Sequence, residues 1–206
     1  MAKMIARCFS LIMFILIFCQ AGAQENTDVI KMLAVHEKFH PVVSVERRDA
    51  YFNIYAMVLL PVPPCQAYAL LTDYASLPGY IPGMLKVSFE RLSDSMVKIR
   101  QVGEAKLLLF SVKVELLLEM EEIPNQRILF KLIEGDLEAY SGEWRLQEVS
   151  EGTKLFYSAA LIFDQYVPTF WGRSMLEDEV SKRFEAVVKE AKARKSRVYP
   201  QCVVKR

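Results

Sequence analysis

The chain has 206 residues, 52% of them hydrophobic and 25% charged, with a formal net charge of +1. That composition fits a globular domain with a sizeable core and excludes a low-complexity or disordered chain. The near-zero balance also removes the electrostatic footprint that a nucleic-acid-binding domain needs.

The first residues read as an export signal. Lys3 and Arg7 form a basic start, and Phe9 to Cys19 is an apolar run too short to span a bilayer as a helix. Ala21-Gly22-Ala23 supplies the small residues that a signal peptidase requires, which places cleavage before Gln24 and the mature protein in the periplasm or outside the cell. Acylation of Cys19 is disfavoured by the bulk of Phe18, and an uncleaved anchor fits the small-residue site less well. Without residues 1–23, 24 basic residues face 25 acidic ones, a net charge of −1. Cys65 and Cys202 then remain, able to pair in an oxidising compartment or to stay free.

Residues 24–42 form an N-terminal extension that contains His36-Glu37-Lys38-Phe39-His40, a letter-for-letter match to HExxH. On a helix, His36 and His40 lie one turn apart and can hold zinc, with Glu37 as general base. Pro41 ends any such helix at the second histidine, and there is no third histidine in the chain. A solvated segment is the favoured reading, and zinc hydrolysis the minor one.

From Tyr51 to Leu60 alternation puts Phe52, Ile54, Ala56, Val58 and Leu60 on one side of a half-buried strand. Pro61 and Pro63 stop it, Pro64 suits the first turn of a helix, and that short helix runs from Cys65 to Asp73. Leu77-Pro78-Gly79 and Ile81-Pro82-Gly83 break the segment after it. Six further strands are predicted. Their inward sets are Leu85, Val87 and Phe89; Val97 and Ile99; Val112 to Met120; Ile128, Phe130 and Leu132; Trp144 and Leu146; and Leu155 to Phe163. From about Phe170 to Lys195 the period lengthens. Leu176, Val180, Phe184, Val187, Val188 and Ala191 form the apolar stripe of a helix of about 25 residues. Helix stripe and sheet face must cover each other, which gives an α+β domain.

The stretch Leu59–Gly83, with Leu60-Pro61, Pro64, Leu71-Thr72-Asp73-Tyr74 and Leu77 to Gly83, resembles the opening of the START-like, polyketide cyclase/coenzyme Q-binding (SRPBCC) superfamily. Trp144 in a strand and the amphipathic last helix fit the same pattern, and the resemblance runs from Val43 to Arg194. It implies a helix-grip domain over 43–196 with a tail at 197–206. A curved antiparallel sheet of about seven strands would wrap a long C-terminal helix, with two short helices after the first strand. Between sheet and helix an apolar cavity is expected, holding a lipid, quinone or isoprenoid-like molecule.

The expected lining residues are Tyr74, Tyr80, Ile99, Gln101, Leu116, Phe130, Trp144, Tyr157, Met175, Leu176 and Phe184. Tyr74, Tyr80 and Asp73 stand near the expected mouth, where they can anchor a polar head or simply finish a helix. Gln101 and Gly103 continue the inward side of a strand, a place where Gln101 can meet a ligand carbonyl or a backbone group. No cofactor and no catalytic residue set is expected, and transient membrane contact is the only further partner. The alternative is a cyclase or dehydratase-like enzyme in the same cavity, for which Glu104, Glu134 and Asp136 are the acid–base candidates. A third reading is an interaction module whose cavity is filled by its own aromatics.

Overall fold

A computed structural model describes residues 39–107, 110–164 and 169–202. The export signal, His36 and Glu37 therefore lie outside the described residues. The described residues from His40 onward form one compact unit. Its eight strands are β1 (Val42–Arg48), β2 (Tyr51–Leu60), β3 (Met84–Arg91), β4 (Met96–Leu107), β5 (Phe110–Ile123), β6 (Arg127–Gly135), β7 (Leu137–Val149) and β8 (Gly152–Phe163). Two helices complete it, α1 (Pro64–Leu71) and α2 (Thr169–Ala193), with 3₁₀ turns at Tyr74–Gly79 and Pro200–Cys202.

The sheet is antiparallel in the order β1-β2-β8-β7-β6-β5-β4-β3. Strands β3 to β8 form a meander, and α1 with its 3₁₀ turn carries the chain from β2 to the far edge, so that β8 returns beside β2. This is the helix-grip architecture. The sheet has one strand more than the seven expected, because β1 reads poorly in sequence. Val42 and Val43 are adjacent and face opposite sides, and only Val45 is fully buried. As an edge strand β1 needs little apolar contrast, and it packs against α2 with the Val45 amide donating to Glu177 Oε1 at 3.3 Å.

Burial follows the predicted phase closely in β2 and β8. Phe52, Ile54, Ala56, Val58 and Leu60 are buried, as are Leu155, Tyr157, Ala159 and Leu161. Edge strand β3 departs from it. Leu85 and Phe89 were expected to face a core, yet they are 50% and 48% exposed. A bulge between Met84 and Lys86 shifts the strand, and Phe89 meets the ring of Tyr74 at 5.6 Å between centroids.

The core is uneven along the strands, and that decides where a cavity forms. In β4 and β5, Val97, Ile99, Leu118 and Met120 are buried, whereas Val114 and Leu116 are half-buried and Val112 is exposed. Helix α2 shows the same gradient. Phe184, Val187, Val188 and Ala191 are buried, while Met175, Leu176 and Val180 are half-buried. The C-terminal half of α2 thus packs into the sheet, and its N-terminal half stands over a gap.

Candidate ligand-binding cavity

An aromatic cluster divides the closed part of the grip from the gap. Trp144 lies opposite Tyr157 in the β7–β8 ladder, with ring centroids 4.5 Å apart, and Phe184 of α2 comes within 5.3 Å of Trp144. Phe130 meets Tyr140 at 4.8 Å. It can do so because its ladder partner is Gly142, where a Cβ would come within 2.8 Å of the Phe130 ring and 2.2 Å of the Ser158 carbonyl oxygen.

Two voids flank this cluster. The larger, about 210 Å³, lies under the N-terminal half of α2 and is lined by Gln101, Leu116, Trp144, Tyr157, Met175, Leu176 and Phe184 among the expected residues. The smaller, about 120 Å³, lies under the 3₁₀ turn and is lined by Tyr74, Tyr80, Gln101, Phe130 and Trp144. Gln101, Met84, Tyr140, Trp144 and Arg183 border both. Ile99, expected in the lining, reaches neither void; it is fully buried one inward position too deep along β4. Gly103 and Glu104 line the larger void. Glu134 and Asp136 reach neither of the two; Asp136 instead accepts the Glu115 amide at 2.7 Å.

The tyrosine hydroxyls near the 3₁₀ turn are occupied by protein. Tyr74 Oη donates to Glu122 Oε1 at 2.5 Å, and Tyr80 Oη donates to the Leu70 carbonyl at 3.2 Å. Burial pushes both phenols above their ordinary range. They line the smaller void and hold the turn in place, and both hydroxyl hydrogens are spent on protein acceptors.

Asp73 is likewise a fastening. Its Oδ2 accepts from Arg194 Nη1 at 2.7 Å, while Arg194 Nε donates to Glu190 at 2.6 Å and the guanidinium lies 5.6 Å from the Tyr80 ring centroid. Burial alone would raise the Asp73 pKa; hydrogen bonds from Arg194 and Ser76, with the charges of Arg194 and Arg197, outweigh it and hold the carboxyl below its ordinary value. A depressed folded-state pKa stabilises the fold above the unfolded-state value, and the contribution disappears as pH falls through the folded one. Asp73→Asn is expected to cost about 1 kcal/mol at neutral pH and nothing near pH 2. Urea unfolding of both proteins across that range checks this, and a constant difference would refute it.

The structure adds residues that the sequence pattern did not single out. Tyr140 and Tyr157 both line the larger void, and their hydroxyls lie 2.8 Å apart. Arg183 of α2 borders both voids, its Nη2 3.8 Å from Glu179 Oε2, and its Nε is buried without a hydrogen-bond partner among the described residues. Arg183 stands within the stripe of Leu176, Val180 and Val187, and a charge at an inward phase was the available signal. Among the described residues no group of three or more His, Cys, Asp or Glu side chains could hold a metal.

The arrangement is an apolar chamber with a polar pole, able to desolvate a hydrophobic molecule and orient one end of it. Comparison with known structures agrees on the fold. The aromatase/cyclase Zhui from Streptomyces sp. R1128 is 17% identical, with a TM-score of 0.59 over 75% of this chain and 99% of that one. A START superfamily protein from Mycobacterium smegmatis gives 11%, 0.60, 68% and 97%. A STAR-related lipid transfer protein from Xanthomonas axonopodis gives 8%, 0.59, 73% and 98%. No curated protein sequence matches the chain. Residues 60–188, from the end of β2 into the buried half of α2, match the family described as polyketide cyclase / dehydrase and lipid transport, and the protein belongs to that family within the START-like superfamily.

Proposed function

We propose that the protein is an exported carrier that holds one hydrophobic molecule of the lipid, quinone or isoprenoid class between its sheet and α2. The observation that supports this most is the void of about 210 Å³ at the point where the apolar faces of β4, β5 and α2 separate. Burying an apolar tail there contributes about 25 cal/mol per Å². The void lies below the usual range for drug-sized ligands, about 300–1,000 Å³, which favours a single-tailed guest over a two-tailed lipid.

The disulfide between Cys65 and Cys202 supports export, since such bonds persist in oxidising compartments. N-terminal sequencing of secreted material beginning at Gln24 is the expected result; an intact N-terminus would remove the signal-peptide reading. For binding, Trp144→Ala is expected to weaken an apolar fluorescent probe about tenfold, by loss of ring contact, in a domain that still unfolds cooperatively. Unchanged affinity in the folded variant would sink the carrier reading. One observation favours a second reading, a cyclase or dehydratase-like activity: Glu104 and Glu179 both line the void.

A further inference from the structure

The polar pole of the larger void has a specific balance of donors and charges. Among the described residues Arg183 Nε–H has no acceptor. Tyr140 and Tyr157 share one hydrogen bond at 2.8 Å, which uses one hydroxyl hydrogen and leaves the other to donate. Both phenols lie near enough to Arg183 that its charge acts on them, although burial, the larger effect, keeps them protonated. Gln101 adds an amide on the opposite wall. The pole is therefore rich in unspent N–H and O–H donors.

Its charge is already compensated. Glu179 stands 3.8 Å from the Arg183 guanidinium and lines the void, as does Glu104. A guest bearing a carboxylate or phosphate would add a further negative charge beside the Glu179 carboxylate that already stands against the guanidinium. An uncharged oxygen acceptor takes the spare hydrogens without that penalty and without losing the hydration of an ion.

Resting on the carrier reading above, we infer that the cavity selects a guest with an uncharged carbonyl head (a ketone, quinone or ester), held by Arg183 Nε–H and the Tyr140–Tyr157 pair, and discriminates against acidic heads. Glu179 keeps the guanidinium in place, and Leu116 and Leu176 receive the apolar body.

The test is competition for a bound fluorescent apolar probe on the purified full chain, using the nine-carbon methyl ketone, alkane and carboxylate. The ketone is expected to bind about tenfold tighter than either of the others, the difference made by one hydrogen bond to a charged donor. Arg183→Met keeps the side chain out to the position of Nε and removes the guanidinium with its Nε–H; it is expected to erase the preference for ketone over alkane. Carboxylate binding equal to or tighter than ketone binding overturns the inference on the wild-type protein alone, whether or not the variant folds. Ketone and alkane binding equally well overturns it while leaving the carrier reading standing. An Arg183→Met protein that retains the preference also overturns it. Failure of all three to compete would take the carrier reading down with it.

Discussion

Glu122→Leu is expected to destabilise the domain by about 3 kcal/mol, seen in urea unfolding as a lower midpoint with an unchanged slope. Glu122 sits near the end of β5 and is 3% exposed. Its carboxylate accepts from Tyr74 Oη at 2.5 Å, Tyr68 Oη at 3.1 Å and Arg91 Nη1 at 3.1 Å. Burial first, and the carboxylate second, push the Tyr68 phenol up to about 12, so it stays a donor at every physiological pH. Leucine would fill similar space but leave two tyrosine hydroxyls without acceptors, at about 1–3 kcal/mol each when buried. Arg91 would lose its partner too, at less cost, because its side chain is 46% exposed and can return to water. Tyr74→Phe removes one donor and leaves Glu122 with two, so its expected cost is about 1 kcal/mol. A loss below about 1 kcal/mol for Glu122→Leu would show that α1 and the 3₁₀ turn are held by apolar packing alone.

Glu122 also shows what kind of signal was passed over in the sequence. In β5 the inward phase runs through Leu118 and Met120 and continues to Glu122, so alternation places a carboxylate in the core. Tyr140 precedes Trp144 on the inward phase of β7 in the same way, and Arg183 interrupts the stripe of α2. Each is a polar group at an apolar phase, and together they make the fastening and the polar pole. The aliphatic and aromatic walls were easier to read. The inward residues of β2 and β8 and the stripe of α2 carry strong period contrast, and Tyr157, Leu176 and Phe184 emerge from it. Phase, however, says only which way a side chain points. Ile99 and Gln101 share one phase, yet one is sealed in the core and the other lines the void, because the separation between α2 and the sheet changes along the strand. That separation is set by tertiary packing, as is the exposure of Leu85 and Phe89 on a strand that lies at the sheet edge.

The disulfide separates what stabilises this domain from what its cavity does. Cys65 is the second residue of α1 and Cys202 lies in the final 3₁₀ turn, 137 residues later, with Cα atoms 5.6 Å apart. Closing so long a loop restricts the unfolded chain severely, and the double variant Cys65→Ser/Cys202→Ser is expected to lose about 4 kcal/mol. Addition of reductant to the wild-type protein should lower it to the same stability and raise its intact mass by about 2 Da, one hydrogen per sulfur. The tail has other fastenings at this end. Tyr199 is buried, and Arg194 just beyond the last turn of α2 reaches Asp73 beyond α1. If those hold the tail by themselves, the stability loss will fall well under 2 kcal/mol and the entropic account fails. No described residue of α1 or of the tail lines the larger void. Affinity for an apolar probe, measured in buffer where the reduced protein remains folded, is therefore expected to stay unchanged while stability falls. A parallel loss of affinity would mean that the disulfide sets the distance between α2 and the sheet, and would make the cavity itself sensitive to the redox state of its compartment.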